Sequence, residues 1–273
     1  MTGVPPLTWL FVPATRPDRV AKAIASRAHA VIVDLEDGVP AGAKADARAG
    51  LAALFPGEHE KPVFVRVNAH DDDDLAAVAH LPLAGVVVPK VARPEDVPDL
   101  PAVEVMIESA RGVEAAFEIA RHPSVRGLSL GEADLRSQIG ALEEGLDFAR
   151  SRIVNAAVAA GLPRPAQSVY MNVRDLEGLG QSCRRGRALG HLGRSAIHPD
   201  QLEVIERAYL PTRNEVEVAR ATVETLAASG VGEVAGGLFV DQALAGSAQT
   251  TLALADADGG GENTAAAPAD VTR

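Results

Sequence analysis

The chain has 273 residues, within the range of a single α/β barrel of roughly 250 residues. Its 37 acidic and 26 basic side chains give a net charge of −11, which argues against a general nucleic-acid binder because that class needs a basic surface. Cys183 is the only cysteine, which excludes an intrachain disulfide. No apolar stretch approaches the ~20 residues of a membrane span. We therefore expect a cytoplasmic protein that uses neither nucleic acid nor a membrane as partner.

Short apolar runs alternate with helical patterns along the chain. The predicted strands are Thr8–Pro13, Ala30–Leu35, Val63–Asn68, Gly85–Pro89, Val103–Glu108, Gly127–Gly131, Gln167–Met171 and Ser195–His198. The predicted helices between them are Pro17–Arg27, Ala41–Leu54, Leu75–His80, Arg111–Arg121, Glu143–Ala160 and Asp175–Leu189. Eight strands with helical crossovers predict an α/β fold of the TIM (β/α)8 barrel type, with a doubly wound open sheet as the alternative.

The pattern changes after the eighth strand. Two helices, Gln201–Ala208 and Asn214–Ala228, precede a strand-like segment, Gly237–Val240, and a short helix that ends near Ala255. We therefore expect a catalytic barrel domain at residues 1–210 and a C-terminal helical extension at residues 211–255, which is too short to fold alone. The low-complexity residues 256–273 are expected to be a disordered tail.

Carboxylates end two consecutive predicted strands. Glu108 ends the fifth strand, and Asp134 follows the sixth. Neighbouring parallel strands place their carboxyl ends side by side, so these two acids should lie close together. Two carboxylates can share one hard cation such as Mg²⁺, and no His or Cys cluster offers a zinc site. The alternative is a pair of capping or salt-bridging acids.

Arg66 lies inside the β-branched run of the third strand. A charged side chain is costly there unless it is paired or functional. Its planar guanidinium suits a substrate carboxylate or a developing enolate oxygen, and the alternative is a structural partner for an interior acid such as Glu36. We prefer substrate binding, because an acid-lined metal site that handles an anion needs a fixed cation.

Other charged residues at strand ends are expected to support the metal site. Asp34, Glu36 and Asp37 follow the second strand and would repel one another unless Arg66, Lys90 or metal-bound water neutralises them. We expect these acids and Lys90 to surround the metal ligands and not to bind the metal directly. Capping of the next helix is the alternative role for one of the acids.

Two further features suggest ligand contacts. Arg16 and Arg19 follow the first strand, with Lys22 on the next helix, and basic groups there suit a phosphate-bearing ligand such as a nucleotide or coenzyme A, although solvated charges are an equal alternative. His198 ends the eighth strand, where it could act in acid–base chemistry or bond a backbone carbonyl.

Eight segments of the chain, taken together, resemble the HpcH/HpaI aldolase–citrate lyase family, which includes citrate lyase β-subunits and malyl-CoA lyases. In chain order they are VPATRPDRVAKA, VIVDLEDGV, VFVRVNA, VVVPKV, IESARG, SLGEADL, GRSAIHPDQLEVI and LFVDQAL. The resemblance runs from about Leu10 to Ala245. It implies a TIM barrel of the phosphoenolpyruvate/pyruvate superfamily that assembles as a homotrimer or hexamer.

The resemblance also implies roles for individual residues. Glu108 and Asp134 would bind Mg²⁺, and Asp241 would be an acid–base group that reaches the site of a neighbouring subunit and acts in catalysis together with Arg66. The implied substrate contacts are Arg66, Glu108, Ala133, Asp134, Ile197 and His198. The implied coenzyme A contacts are Phe11, Arg16 and Lys22.

The activity that the resemblance implies is Mg²⁺-dependent carbon–carbon cleavage of a 3-hydroxyacyl-CoA into acetyl-CoA and a keto acid. Malyl-, citramalyl- and citryl-CoA remain open as substrates. One alternative is the β-subunit of a citrate lyase complex that acts on a citryl thioester of an acyl carrier protein. A binding protein on an inactive barrel is the other, and it is disfavoured by the joint presence of Arg66, Glu108, Asp134 and Asp241.

Overall fold

The structure is a computed structural model that describes residues 4–55 and 57–257. It divides into two compact units. One unit is Pro5–Ala208, and the other contains, among the described residues, Val4 and residues 209–257. This division falls within a few residues of the domain boundary expected after residue 210.

The first unit is built on a parallel sheet of seven strands. They are β1 Thr8–Pro13, β2 Ala30–Asp34, β3 Val63–Arg66, β4 Gly85–Val88, β5 Val103–Ile107, β6 Val125–Leu130 and β7 Arg194–Ala196. Their order is β6-β5-β4-β3-β2-β1-β7. Every residue of β2 and β4 is buried, as expected for strands covered on both faces. The α/β fold class, with the curled parallel sheet of a TIM barrel, is thus confirmed.

The prediction of a seventh strand at Gln167–Met171 was wrong. Only Gln167 joins the sheet, through an isolated parallel bridge to Arg194. Beyond it the segment makes side-chain contacts instead of a ladder, since the Gln201 amide donates to the Tyr170 carbonyl and the Tyr170 hydroxyl donates to Asp175. The strand predicted as the eighth is present as β7.

Helices connect the strands. They are α1 Pro17–Ala25, α2 Lys44–Leu54, α3 Asp72–Val78, α4 Ala110–Glu114, α5 Ala116–Ala120, α6 Glu132–Ile139, α7 Asp147–Ala159, α8 Leu176–Ala188 and α9 Gln201–Tyr209. The helix predicted over Arg111–Arg121 is divided at Ala115, and the Pro-rich fourth connection holds only a 3-10 turn at Pro94–Asp96. The sequence did not predict α6, which follows β6 almost directly and buries Leu135.

The second unit contains α10 Arg213–Ser229, the hairpin of β8 Gly232–Val234 and β9 Leu238–Val240, and α11 Ala245–Ala257. Thr212 begins α10 through a capping box with Glu215. The predicted C-terminal helical extension is therefore present, although α11 runs two residues past the predicted end at residue 255. The remainder of the predicted tail, residues 258–273, lies outside the described residues. Among the described helices, none combines the length and apolar composition needed to cross a bilayer.

Candidate functional site

The side chains on the interior face of the curled sheet are mostly apolar up to the last residues of the strands. Ile32, Phe64, Val87 and Met106 form a buried cluster against which Phe11 packs. Because side chains alternate between the faces of a strand, the next interior positions are charged. In β2 and β3 these positions are Asp34 and Arg66, which stand opposite each other in register. The site therefore lies on an apolar floor at the carboxyl ends of the strands.

Arg66 is held by two acids. Its Nε donates to Asp34 Oδ1 at 2.6 Å and its Nη2 donates to Asp34 Oδ2 at 2.7 Å, which makes a bidentate pair. Its Nη1 lies 3.0 Å from Glu36 Oε2. The guanidinium also stacks over the Phe11 ring, 5.0 Å from the ring centroid. Nη1 also donates to Met106 Sδ at 4.0 Å. A guanidinium has five N–H bonds, so one N–H of Nη2 is left to offer a ligand.

Backbone donors fix the other side of Asp34. The Glu36 N–H donates to Asp34 Oδ1 at 3.0 Å, and the Gly38 N–H donates to Oδ2 at 2.8 Å. The Asp34 carboxylate therefore anchors both the loop after β2 and the guanidinium of Arg66. Arg66 thus pairs with interior acids, as one of its two interpretations expects, and substrate binding by its remaining N–H stays a prediction.

Lys90 pairs with Glu36, the second acid at the carboxyl ends of the strands. Its Nζ forms an ion pair with Glu36 and lies 3.9 Å from Asp37 Oδ1. Burial raises the pKa of Glu36, and the Lys90 hydrogen bond and the Arg66 charge offset this only in part. Lys90 has a φ of 58°, which is unusual for a residue with a side chain and is common at functional sites.

Glu108 lies beside Lys90 and Gly131. The strained backbone of Lys90 directs its N–H to Glu108 Oε2 at 3.2 Å. The Glu108 side chain passes so close to Gly131 that a Cβ there would be 2.4 Å from Glu108 Cγ. Burial, together with the negative charges of Glu36 and Asp134, raises the pKa of Glu108 to about 7. The positive charges of Lys90 and Arg66 offset this rise only in part.

Asp134 lies in the first turn of α6, immediately after Ala133, and both residues are exposed. Its negative charge contributes to the raised pKa of Glu108, and joint metal binding by the two carboxylates stays a prediction. Within residues 4–55 and 57–257, no group of three or more His, Cys, Asp or Glu side chains is arranged to hold a metal ion. Glu108 and Asp134 fit Mg²⁺ if water and substrate oxygens supply the remaining ligands.

The residues predicted to contact coenzyme A are separated in the structure. Phe11 lies in the interior of the sheet beneath Arg66. Arg16 precedes α1 and is exposed, with its guanidinium paired to Asp18 at 3.1 Å. Lys22 is exposed on the last turn of α1. The two cations can thus meet a polar ligand in solvent, whereas Phe11 belongs to the floor of the site.

Ile197 and His198 follow β7 at the same carboxyl edge of the sheet. The Gln201 side-chain carbonyl accepts from both of their backbone N–H groups, at 2.9 and 3.2 Å. His198 Nδ1 accepts from the Asp200 N–H at 3.2 Å. These bonds fix the turn, and the exposed imidazole of His198 makes a local contact of the kind expected for a structural histidine.

Asp241 belongs to the second unit. It follows β9, and its Oδ1 accepts from the Ala243 N–H at 3.0 Å, so it caps a 3-10 turn at Gln242–Leu244. The carboxylate is exposed. An exposed carboxylate at a short turn is available to another molecule.

Two charged residues near the site were missed in the sequence. Arg150 of α7 is 1% exposed and binds Glu132, the first residue of α6. Glu104 lies in the interior of the sheet, and burial raises its pKa to about 7. A signal was present for Glu104, because its charge interrupts the apolar run of β5, whereas Arg150 lies among other polar residues such as Ser151 and Arg152.

The comparisons with known proteins agree with this geometry. Residues 7–105 and 101–199 match the family model described as HpcH/HpaI aldolase/citrate lyase. The chain is 34% identical to a (3S)-malyl-CoA thioesterase of Cereibacter sphaeroides, over 91% of this chain and 94% of that protein. It is 36% identical to a citrate lyase subunit beta-like protein of Mycobacterium tuberculosis, over 78% of this chain and 82% of that protein.

Solved structures show the same similarity. Protein CitE of Mycobacterium tuberculosis in complex with magnesium, acetoacetate and coenzyme A has a TM-score of 0.80 and 33% identity, over 91% of this chain and 97% of that chain. The citrate lyase beta subunit of that organism complexed with oxaloacetate and magnesium has a TM-score of 0.68 and 34% identity, over 75% and 97%. The chain therefore belongs to the HpcH/HpaI aldolase/citrate lyase family.

Proposed function

We propose that the protein is a Mg²⁺-dependent carbon–carbon lyase that cleaves a 3-hydroxyacyl-CoA of the malyl, citramalyl or citryl type into acetyl-CoA and a keto acid. The observation that carries the proposal is the combination of Arg66, fixed between Asp34 and Glu36, with the buried carboxylate of Glu108, on which Arg66 acts electrostatically. A fixed cation beside a pair of acids can bind a small anion and a divalent metal together. Relatives crystallised with magnesium and small keto acids support this assignment.

Glu108 and Asp134 are the residues that would hold Mg²⁺. When bound, the ion would neutralise their charges and polarise the oxygen that becomes the keto group. The free N–H of Arg66 would hold the substrate carboxylate. The fixed guanidinium would also stabilise the negative charge that develops on the substrate in the transition state. The apolar floor under Arg66 limits access of water to the carbanion that forms when the bond breaks.

The cleavage itself needs a proton carrier. A base removes the hydroxyl proton, the carbon–carbon bond breaks as the carbonyl forms, and the acetyl-CoA carbanion then takes up a proton. We assign this role to Asp241 of a neighbouring subunit in a homotrimer or hexamer. Its exposure and its place outside the barrel unit support the assignment. Arg16 and Lys22 would receive the phosphates of coenzyme A, and Ile197 and His198 would border the thioester.

Hydrolysis is a second candidate function. The curated relative that is similar over 91% of this chain is a (3S)-malyl-CoA thioesterase. In that reaction water attacks the thioester carbonyl and coenzyme A leaves as a thiol, so no carbon–carbon bond breaks. Action within a citrate lyase complex, on a thioester of an acyl carrier protein, is the third candidate, and relatives named citrate lyase subunit beta favour it.

One assay distinguishes these candidates. The purified protein is incubated with malyl-, citramalyl- and citryl-CoA, and separately with a citryl thioester of an acyl carrier protein, each with Mg²⁺ or with EDTA. Acetyl-CoA or the acetyl carrier thioester, keto acid and free thiol are measured. The proposal predicts equal amounts of acetyl-CoA and keto acid, without free thiol, only when Mg²⁺ is present. Free thiol together with the hydroxy acid would establish hydrolysis instead. Turnover only of a carrier-protein thioester would point to the complex.

The metal assignment has its own test. Glu108→Gln removes one of the two charged metal ligands and should abolish Mg²⁺-dependent turnover. Glu114→Gln, which changes an exposed glutamate on α4, is the matched control and should retain wild-type turnover. Turnover by Glu108→Gln at the wild-type rate would refute the assignment.

A further inference from the structure

Arg150 is the largest fully buried side chain in the described part of the protein, at 1% exposure. Burying a guanidinium costs free energy unless acids and hydrogen-bond acceptors surround it. Here the acids come from three places along the chain: Glu132 at the start of α6, Glu143 in the turn before α7, and Asp147 at the start of α7. Arg150 therefore ties α7 to α6.

The strongest geometry is with Glu132. Arg150 Nε donates to Glu132 Oε1 at 2.9 Å, and Nη2 donates to Glu132 Oε2 at 2.6 Å, which forms a bidentate pair. Nη1 donates to Asp147 Oδ1 at 3.1 Å, and Nη2 also reaches Glu143. Because the planar fork fixes both orientation and distance, the first residue of α6 has one position relative to α7.

The rest of α6 is anchored separately. Leu135 is buried, and the Gln138 side chain accepts from the Ala110 N–H at 2.8 Å. The residue before the helix is also held, since the Gly131 N–H donates to the Ile107 carbonyl at 2.8 Å. Loss of the Glu132 pair would thus loosen the first turn between this bond and the later contacts. Asp134 lies in that first turn and is exposed, so its place follows from the backbone that carries it.

We propose that Arg150 and Glu132 are positioning residues that fix the first turn of α6 and so set Asp134 at the distance from Glu108 that Mg²⁺ binding requires. The proposal rests on the Mg²⁺ site of the proposed function and extends it to two residues that do not touch the ion. Residues that orient metal ligands typically change metal affinity by about 10- to 100-fold when they are mutated.

The test is Mg²⁺ binding measured by titration calorimetry, together with the thermal midpoint of each protein. Glu132→Ala leaves Arg150 with two acids, so the variant should fold, and its Mg²⁺ dissociation constant should rise by at least about tenfold. Glu132→Gln should recover part of the affinity, because the amide oxygen still accepts one bond. If Glu132→Ala fails to fold, Arg150→Lys, which keeps the charge but loses the fork, serves in its place.

Arg185→Ala is the matched control. Arg185 binds the far side of the same network, through Asp147 at 2.6 Å, and does not contact Glu132. The control should bind Mg²⁺ as tightly as the wild type does. A folded Glu132→Ala variant with wild-type Mg²⁺ affinity would overturn the positioning role, even if its thermal midpoint fell. If the wild type itself bound no Mg²⁺, the proposed function would fail as well, so the two failures can be told apart.

Discussion

The carboxyl group of Glu104 gives the protein a pH-dependent stability that one substitution should remove. Glu104 lies on β5 opposite Val87 of β4 and Gly127 of β6, on the interior face of the sheet. The glycine provides its space, because a Cβ at Gly127 would be 2.0 Å from Glu104 Oε2. Burial raises the pKa of Glu104 from 4.5 to about 7.

The direction of the effect follows from proton binding. Between pH 4.5 and about 7 the unfolded chain has released this proton, whereas the folded protein keeps it. The contribution of Glu104 to stability is therefore greatest at low pH and is lost as the pH rises through this window. At about 1.4 kcal/mol per pH unit the loss reaches about 3 kcal/mol, an upper bound because the residue is partly exposed.

Glu104→Gln keeps the shape and remains neutral at every pH. The free energy of unfolding of each protein is measured in urea at pH 5 and at pH 8. We expect the difference between variant and wild type to be larger at pH 8, in favour of the variant, by up to about 3 kcal/mol. Glu118→Gln, at an exposed position on α5, is the control and should show no such difference. An equal effect of Glu104→Gln at both pH values would refute the reasoning.

Three further predictions concern the mouth of the barrel. Gly131→Ala should displace Glu108 and reduce Mg²⁺ affinity; unchanged affinity would contradict the close approach. Arg66→Met should lower the free energy of unfolding by about 3–5 kcal/mol because it leaves the buried Asp34 carboxylate without its positive partner. Adding Asp34→Asn should recover part of that loss, which a double-mutant cycle measures. Co-expressed Asp241→Asn and Glu108→Gln subunits should regain activity that neither has alone, and an inactive mixture would argue against catalysis across subunits.

The sequence predicted most of the barrel because its strands are continuous apolar runs that end in charged residues. It failed at Gln167–Met171, where a β-rich pattern is overridden by side-chain bonds to the Tyr170 segment. It also missed α6, since this helix begins directly after β6 and buries Leu135 but few other apolar side chains. The hairpin of β8 and β9 was seen only in part, because three-residue strands leave little periodicity.

For the candidate site, the sequence predicted which charged residues lie at the carboxyl ends of the strands but not which of them form ion pairs. Parallel strand order predicted that Glu108 and Asp134 follow neighbouring strands, β5 and β6, at the same edge of the sheet. It could not show that Asp34 holds Arg66 by both carboxylate oxygens, or that Phe11 lies beneath the guanidinium, because these contacts depend on strand register. The pairing of Arg150 with Glu132 joins two helices, one of which was not predicted.

The most direct test of the central claim is a crystal structure of the protein with Mg²⁺ and oxaloacetate. We expect the ion within about 2.0–2.1 Å of carboxylate oxygens of both Glu108 and Asp134. The keto-acid carboxylate should accept a hydrogen bond of about 2.7–3.2 Å from Arg66. A metal bound away from these two acids, or a keto acid that does not contact Arg66, would contradict the account.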